Sequence, residues 1–184
     1  PYRAPQVKKP NITPFDQLAR LYWELGLERN PTRASYLGHR AYDARLPDLS
    51  ATARAQYTAR LKRLSVSLNQ LLLTQLPDST RTYAAVLKTQ LHQYFATQVC
   101  QDWNWVVDQL QGPQVQVAGL PNYHIVDGPE RAGTLLKRYA AFGHFFDQHI
   151  ANLEQGRAQG RVASRVNVSR VVEQLTRMVD GPVA

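Results

Sequence analysis

Five histidines, a single cysteine and a run of arginines are the residues of this chain best suited to chemistry. His144 and His149, in HFFDQH, come closest to a zinc-binding helix. Such a helix sets two histidines four residues apart with a glutamate beside the first, so that both imidazoles leave one face toward one ion. A spacing of five instead turns the two rings about 140° apart at 3.6 residues per turn. No glutamate lies between them. The two rings are therefore expected to flank an aromatic stripe, exposed or locally bonded, and not to hold a metal. His39, His92 and His124 stand on separate elements without ligand spacing. His124, in PNYHIVDG, lies beside Tyr123 and Asp127; a His–Asp orienting pair is the functional alternative there to a satisfied histidine, but no nucleophile accompanies it. Arg157, Arg161, Arg165 and Arg170 step through a turn into the last helix and form the candidate anion-binding ridge. The competing readings are a solvated basic edge, or cations answering the dipole of the preceding helix.

Other chemistries leave no trace. The phosphate-cradling G-x-x-x-x-G-K-[ST] and the G-x-S-x-G of a nucleophile elbow do not occur. Aromatic residues keep helix-core spacing and do not interleave with the arginines, which is poor for stacking single-stranded nucleic acid. Cys100, beside Val99 at the end of a helical pattern, is expected to be a small buried hydrophobe. One cysteine allows no intrachain disulfide. No catalytic or metal-ligating residue can be assigned, and no cofactor is expected in this chain.

The elements that position these residues are helical. Ordered along the chain, PYRAPQVKKP is an extended, proline-rich basic arm (residues 1–12), and one helical domain is expected over 13–184. Thr13 caps a helix with Pro14 at its first position. Asn30 restarts a short one that Gly38 ends. Ser50 caps a long helix whose Tyr57, Leu61, Leu64, Leu68 and Leu71 alternate steps of four and three, the seam of a bundle helix. Asp78 or Ser79 caps the next, with Tyr83, Val86, Leu87, Leu91, Tyr94 and Phe95 on its apolar face. A short link makes these two antiparallel neighbours. Residues of about 101–127 break the rhythm: a long irregular connection, with a strand-like alternation at Val115 and Val117 and a brief helix around Val106–Leu110. Pro129 then opens a long aromatic helix with Leu135, Tyr139, Phe142, Phe146, Ile150 and Leu153 on its buried face. Gly156 and Gly160 end it, and a return helix carries Val168, Val171, Val172, Leu175 and Met178, completing a helical hairpin. The predicted class is all-α, a multi-helix array of antiparallel helices.

Composition agrees with a folded domain. At 184 residues, 43% hydrophobic and 20% charged, the chain can bury one core and is too short for two. The formal charge of +8 favours anionic partners or an exported setting without choosing between them. No apolar run approaches the ~20 residues that span a bilayer. The chain starts at Pro1, so residues upstream, or a signal peptide since removed, are expected.

Three segments in order, NPTRASYLGHRAYDARLPDLS, QLQGPQVQ and FFDQHIANLEQGRAQGRVASRVNVSRVVEQL, resemble the N-terminal half of the bacterial domain of unknown function 885 family. The likeness covers nearly the whole chain after the arm. Members of that family look like mostly helical zinc metallopeptidases with the active site in a deep channel between helical halves. The resemblance implies a bacterial protein, possible export included, whose H-E-x-x-H helix and further acidic ligand follow the last helix here. It carries no catalytic or metal residue onto this chain. The implied role is a non-catalytic wall of a peptide-binding channel, with zinc in the other half, and that half and a peptide as partners. The alternative is a stand-alone basic helical module that binds nucleic acid or an acidic protein.

Overall fold

The computed structural model describes residues 12–180, so the basic arm lies outside the described residues save for Ile12. Helix α1 (Pro14–Arg29) begins with a capping box: the Thr13 hydroxyl accepts from the Asp16 amide, and the Asp16 carboxylate accepts from the Thr13 amide at 2.9 Å. Asn30 ends α1 and, with its side-chain oxygen 3.0 Å from the Arg33 amide, starts α2 (Pro31–Tyr36). Gly38, at φ +87°, then closes α2. The His39 amide reaches the Ala34 carbonyl and the Gly38 amide reaches that of Ser35, the paired bonds of a Schellman turn. After a 3-10 turn at Arg40–Tyr42, Ser50 caps α3 (Ala51–Leu72), and α4 (Asp78–Thr97) follows the short 73–77 link. Pro77, not Asp78 or Ser79, holds the N-cap position of α4.

Helices α1, α3 and α4 enclose the first core, built on Leu25, Leu61, Leu64, Leu68, Ala84, Leu87 and Leu91. Each buried leucine contributes roughly 1.5–3 kcal/mol. The α3 seam lies where its spacing puts it from Tyr57 to Leu68, but at its end Leu72 packs on this core in place of Leu71. On α4 the face is narrower than expected: Leu87 and Leu91 are buried with Ala84, and Tyr94 and Phe95 pack against the same core, but Tyr83 and Val86 are exposed.

The 101–127 connection is more regular than its composition suggests. It holds a 3-10 turn at Asp102–Asn104 and a helix, α5 (Pro113–Tyr123), so the described residues contain neither a strand at Val115–Val117 nor a helix at Val106–Leu110. Gly112–Pro113 is a turn that leads into a helix: proline at the first helical position loses no bond. Pro121 sits inside α5, near its end, where only one amide donor is forgone.

The long aromatic helix is two helices, α6 (Pro129–Ala140) and α7 (Phe142–Ala158), divided at Ala141. Its buried residues are Arg138, Phe142, Phe145, Asn152 and Gly156, while Tyr139 and Ile150 are 39% and 53% exposed. Phe142, Phe145 and Leu120 of α5 make the second core, with Leu46, Leu49, Val117, Leu135 and Phe146 around them. Gly160, at φ +74°, ends α7 by a second Schellman turn: the Arg161 amide reaches the Gly156 carbonyl at 2.8 Å, and the Gly160 amide that of Arg157. Gly156 is an interior residue of α7 and not its stop.

Helix α8 (Arg165–Asp180) does not fold back along α7 as a hairpin partner but rests on α5. Gln174 accepts from Gln114 at 3.0 Å and donates to the Gln109 carbonyl at 3.0 Å. Of its apolar stripe only Val171 is buried; Val168, Val172, Leu175 and Met178 are exposed.

Candidate functional site

Arg138 is the largest fully buried side chain among the described residues, at 0% exposure. Its guanidinium donates from Nε to the Arg45 carbonyl (2.8 Å) and from Nη2 to the Tyr42 carbonyl (2.7 Å), the Ser35 hydroxyl (2.8 Å) and the Pro31 carbonyl (3.3 Å). Its Nη1 lies 3.3 Å from Nδ1 of His124. Nε2 of His124 faces the Arg131 carbonyl at 2.9 Å, and a carbonyl only accepts. The ring is therefore protonated on Nε2, leaving Nδ1 to accept from Arg138. Arg131 in turn donates to buried Asp43 at 2.9 Å. Burial lowers the Arg138 pKa, the nearby Asp43 carboxylate raises it, and Arg131 lowers it. A guanidinium keeps its proton under such pressure. This network ties α2, the 40–46 loop, His124 and α6 together, and it is closed to ligands because almost every donor already has a partner.

The open site lies beside it. A cleft of about 460 Å³ runs between the α1–α2 junction, the Pro47–Leu49 loop, α5 and α7. Its polar wall is Arg29 and Arg33; Gln116 and Tyr123 come from α5, and Phe145 and His149 from α7. Tyr36 meets Tyr123 edge to face, with ring centroids 5.8 Å apart.

Helix α7 fixes the loop wall. Gln148 accepts from the Leu49 amide and donates to the Asp48 carboxylate, both at 2.9 Å, and Asn152 donates to the Leu49 carbonyl at 3.1 Å. Arg54 also donates to the Leu49 carbonyl and reaches Asn152 at 3.1 Å, while its guanidinium stands 5.0 Å from the Trp103 ring centroid. The Ser50 amide holds the Asp48 carboxyl below its ordinary pKa, against burial and with help from the Ser50 and Gln148 side chains and the His144 charge. Arg29 donates to the Asp48 carbonyl at 2.9 Å.

His149 packs edge to face on Phe145 at 4.8 Å, and its Nε2 is buried without a hydrogen-bond partner. Burial lowers its pKa from the usual 6.5, because the charged ring would lose its hydration. Arg33 has no ion-pair partner among the described residues. A second cleft of about 330 Å³ shares Arg29, Leu49, Gln116 and His149, and adds Arg54, Asp102 and Asp108.

The residues singled out by spacing fall elsewhere. His144 is exposed and 3.1 Å from Gln148, a locally bonded ring. Asp127 pairs with Arg40 at 2.6 Å, not with His124. Cys100 is exposed, contrary to its apolar neighbour's hint, because the 3-10 turn at Gln98–Cys100 turns its side chain out. Of the ridge arginines, Arg157, Arg165 and Arg170 are exposed, and Arg161 donates to the Cys100 carbonyl at 2.9 Å. Arg165 and Arg170, five apart on α8, point about 140° from each other. No group of three or more His, Cys, Asp or Glu converges as a metal site among the described residues, so these side chains do not fit zinc. Arg29, Arg33 and Tyr36 were not singled out as site residues by type or spacing; the fold brings them to one cleft with Gln116 and His149.

An all-α chain with a closed polar network and an adjoining cationic cleft is the class defined by this geometry. Residues 31–184 match the family described as bacterial protein of unknown function (DUF885), and the chain belongs to that family. No curated protein and no solved structure matches it. None of the described helices is long and apolar enough to cross a membrane.

Proposed function

We propose that this chain is the non-catalytic N-terminal helical part of a zinc metallopeptidase-like hydrolase and forms one wall of its peptide-binding channel. The observation that carries this reading is the uncovered stripe of α8, where Val168, Val172, Leu175 and Met178 share a helical face yet stay exposed. An apolar stripe of that length at 3.6-residue spacing is a packing surface, and burying it is the main source of a helix's stability. In this reading the zinc belongs to a second body that covers this stripe, since no donor set among the described residues fits it. The chain supplies surface, not chemistry.

The test compares this 184-residue chain with the full product of its gene, each with a short-peptide panel and zinc. The chain alone should be inert, the full product should cleave and lose activity to a chelator, and Val172→Glu with Leu175→Glu should abolish cleavage by the full product. Chelator-sensitive hydrolysis by the chain alone would overturn the reading, as would full activity of the double variant.

A further inference from the structure

The cleft between the α1–α2 junction and α7 combines features that the packing does not use. Arg29 and Arg33 line it, and no carboxylate does. Arg33 is exposed and without an ion pair among the described residues, and Arg29 spends only Nη1 on the Asp48 carbonyl. His149 lines the same cleft, and its Nε2 is buried and unpartnered, a polar atom that ordinarily finds a hydrogen bond. Leu49, Phe145 and the Tyr36–Tyr123 pair supply apolar walls. At about 460 Å³ the cleft is in the usual range for small-molecule sites.

Two guanidinium groups on a lining that holds no carboxylate attract an anion, although Glu28 and Asp48 lie on the far side of Arg29, and the planar fork of arginine matches a carboxylate best. The apolar walls need an apolar body on the same ligand, because inorganic phosphate would leave them wet. The adjoining cleft, where Asp102 and Asp108 accompany Arg54, lacks this one-sided charge. We propose that the Arg29–Arg33–His149 cleft binds a small organic carboxylate carrying an aromatic or aliphatic group, with the arginines on the carboxylate and His149 Nε2 on a polar atom of the ligand. This site needs nothing from the channel reading: the chain should bind such a ligand without any second body.

The test is a titration of the 184-residue chain, ¹³C-labelled at histidine, followed by NMR of the ring signals. N-acetylphenylalanine is the probe; its primary amide removes the charge, and inorganic phosphate removes the apolar body. The His149 ring, assigned by its loss in His149→Gln, should shift saturably with the acid while the exposed His92 ring stays put. The amide and phosphate should each bind at least about tenfold more weakly, and Arg33→Gln should lose about tenfold with an unchanged melting temperature, as befits one charge-assisted contact. Lys88→Gln, on exposed α4 surface, should bind like the parent. Equal affinity for the amide, equal affinity for phosphate, no His149 shift, or full binding by Arg33→Gln would each overturn the proposal.

Discussion

The carbonyl oxygen of Asn104 occupies the place where a side chain on Gly156 would begin. A Cβ built on Gly156 would stand 1.8 Å from that oxygen and 2.7 Å from the carbonyl carbon. Helix α7 therefore lies against the backbone of the 102–104 turn through a residue that must be glycine. Gly156→Ala should destabilise the protein by about 3 kcal/mol, since backbone on both sides has to move. For a chain of this length that is a melting temperature lowered by about 6–12 °C. Gly133, inside α6 with nothing within 4 Å of its Cβ direction, is the control. There alanine should stabilise by about 0.5–1 kcal/mol through helix propensity, and thermal scans of the two variants should move in opposite directions.

Removing Arg138 takes a donor from each of its partners, though the Pro31 carbonyl and the Ser35 hydroxyl keep their bond to each other. The Arg45, Tyr42 and Pro31 carbonyls, the Ser35 hydroxyl and His124 Nδ1 would lose a donor in a site that water does not reach. Arg138→Met keeps the length and removes every donor; it should cost about 3–5 kcal/mol, the scale for breaking a buried charged network. Arg138→Lys should recover only part, because a point charge cannot reproduce contacts spread around a planar fork. Urea midpoints measure both, with an unchanged slope expected if the change is one of stability alone.

The same arginine explains what sequence periodicity shows and what it hides. Helical class, the α3 seam and the Gly38 and Gly160 stops follow from local chemistry, since capping and spacing act within a few residues. The α6–α7 face does not. Choosing apolar residues gives Leu135, Tyr139, Phe142, Phe146, Ile150 and Leu153. The seam that packs inward is Leu135, Arg138, Phe142, Phe145, His149, Asn152 and Gly156, which keeps steps of three and four throughout. Three of its members are polar and one has no side chain, so hydropathy passes over them. Arg138 and Asn152 are tolerated inside only because carbonyls of the 42–49 loop await them, a long-range fact with no local signal. The Arg29–Arg33–His149 cleft was hidden for the same reason: its walls come from positions 29–49, 116–123 and 145–149.

His149 gives the stability a pH dependence of definite sign. Its folded pKa is lowered from 6.5 by burial, so between the folded value and 6.5 the unfolded chain binds more protons at this ring than the native state. Unfolding free energy therefore rises with pH across that window. The contribution is full above 6.5, is lost as pH falls toward the folded value, and changes no further below it. Asp16 and Asp48, both lowered from 3.8 by amide bonds, act only at more acid pH and do not confuse the window. Melting temperatures taken from about pH 7.5 to about pH 5 should fall more steeply for the parent than for His149→Gln. Parallel curves would remove His149 as the cause.

Val171 and Val172 are neighbours on α8 with opposite circumstances, 9% and 56% exposed. Val171 is the buried apolar side chain of α8, beside the Gln174 hydrogen bonds, so Val171→Ala should cost about 1.5–2.5 kcal/mol in urea unfolding, from two lost methyl groups and the space they leave. Val172→Ala should stay within about 0.5 kcal/mol, since surface changes away from special features do. The contrast should shrink in the full gene product if a second body covers the stripe, since Val172 would then be buried as well. There Val172→Glu and Leu175→Glu would put charges into an apolar contact without partners, and the full product should melt earlier while this chain alone does not. If the glutamates lower the melting temperature of the isolated chain by the same amount, the stripe is already serving the fold of this chain and is not waiting for another.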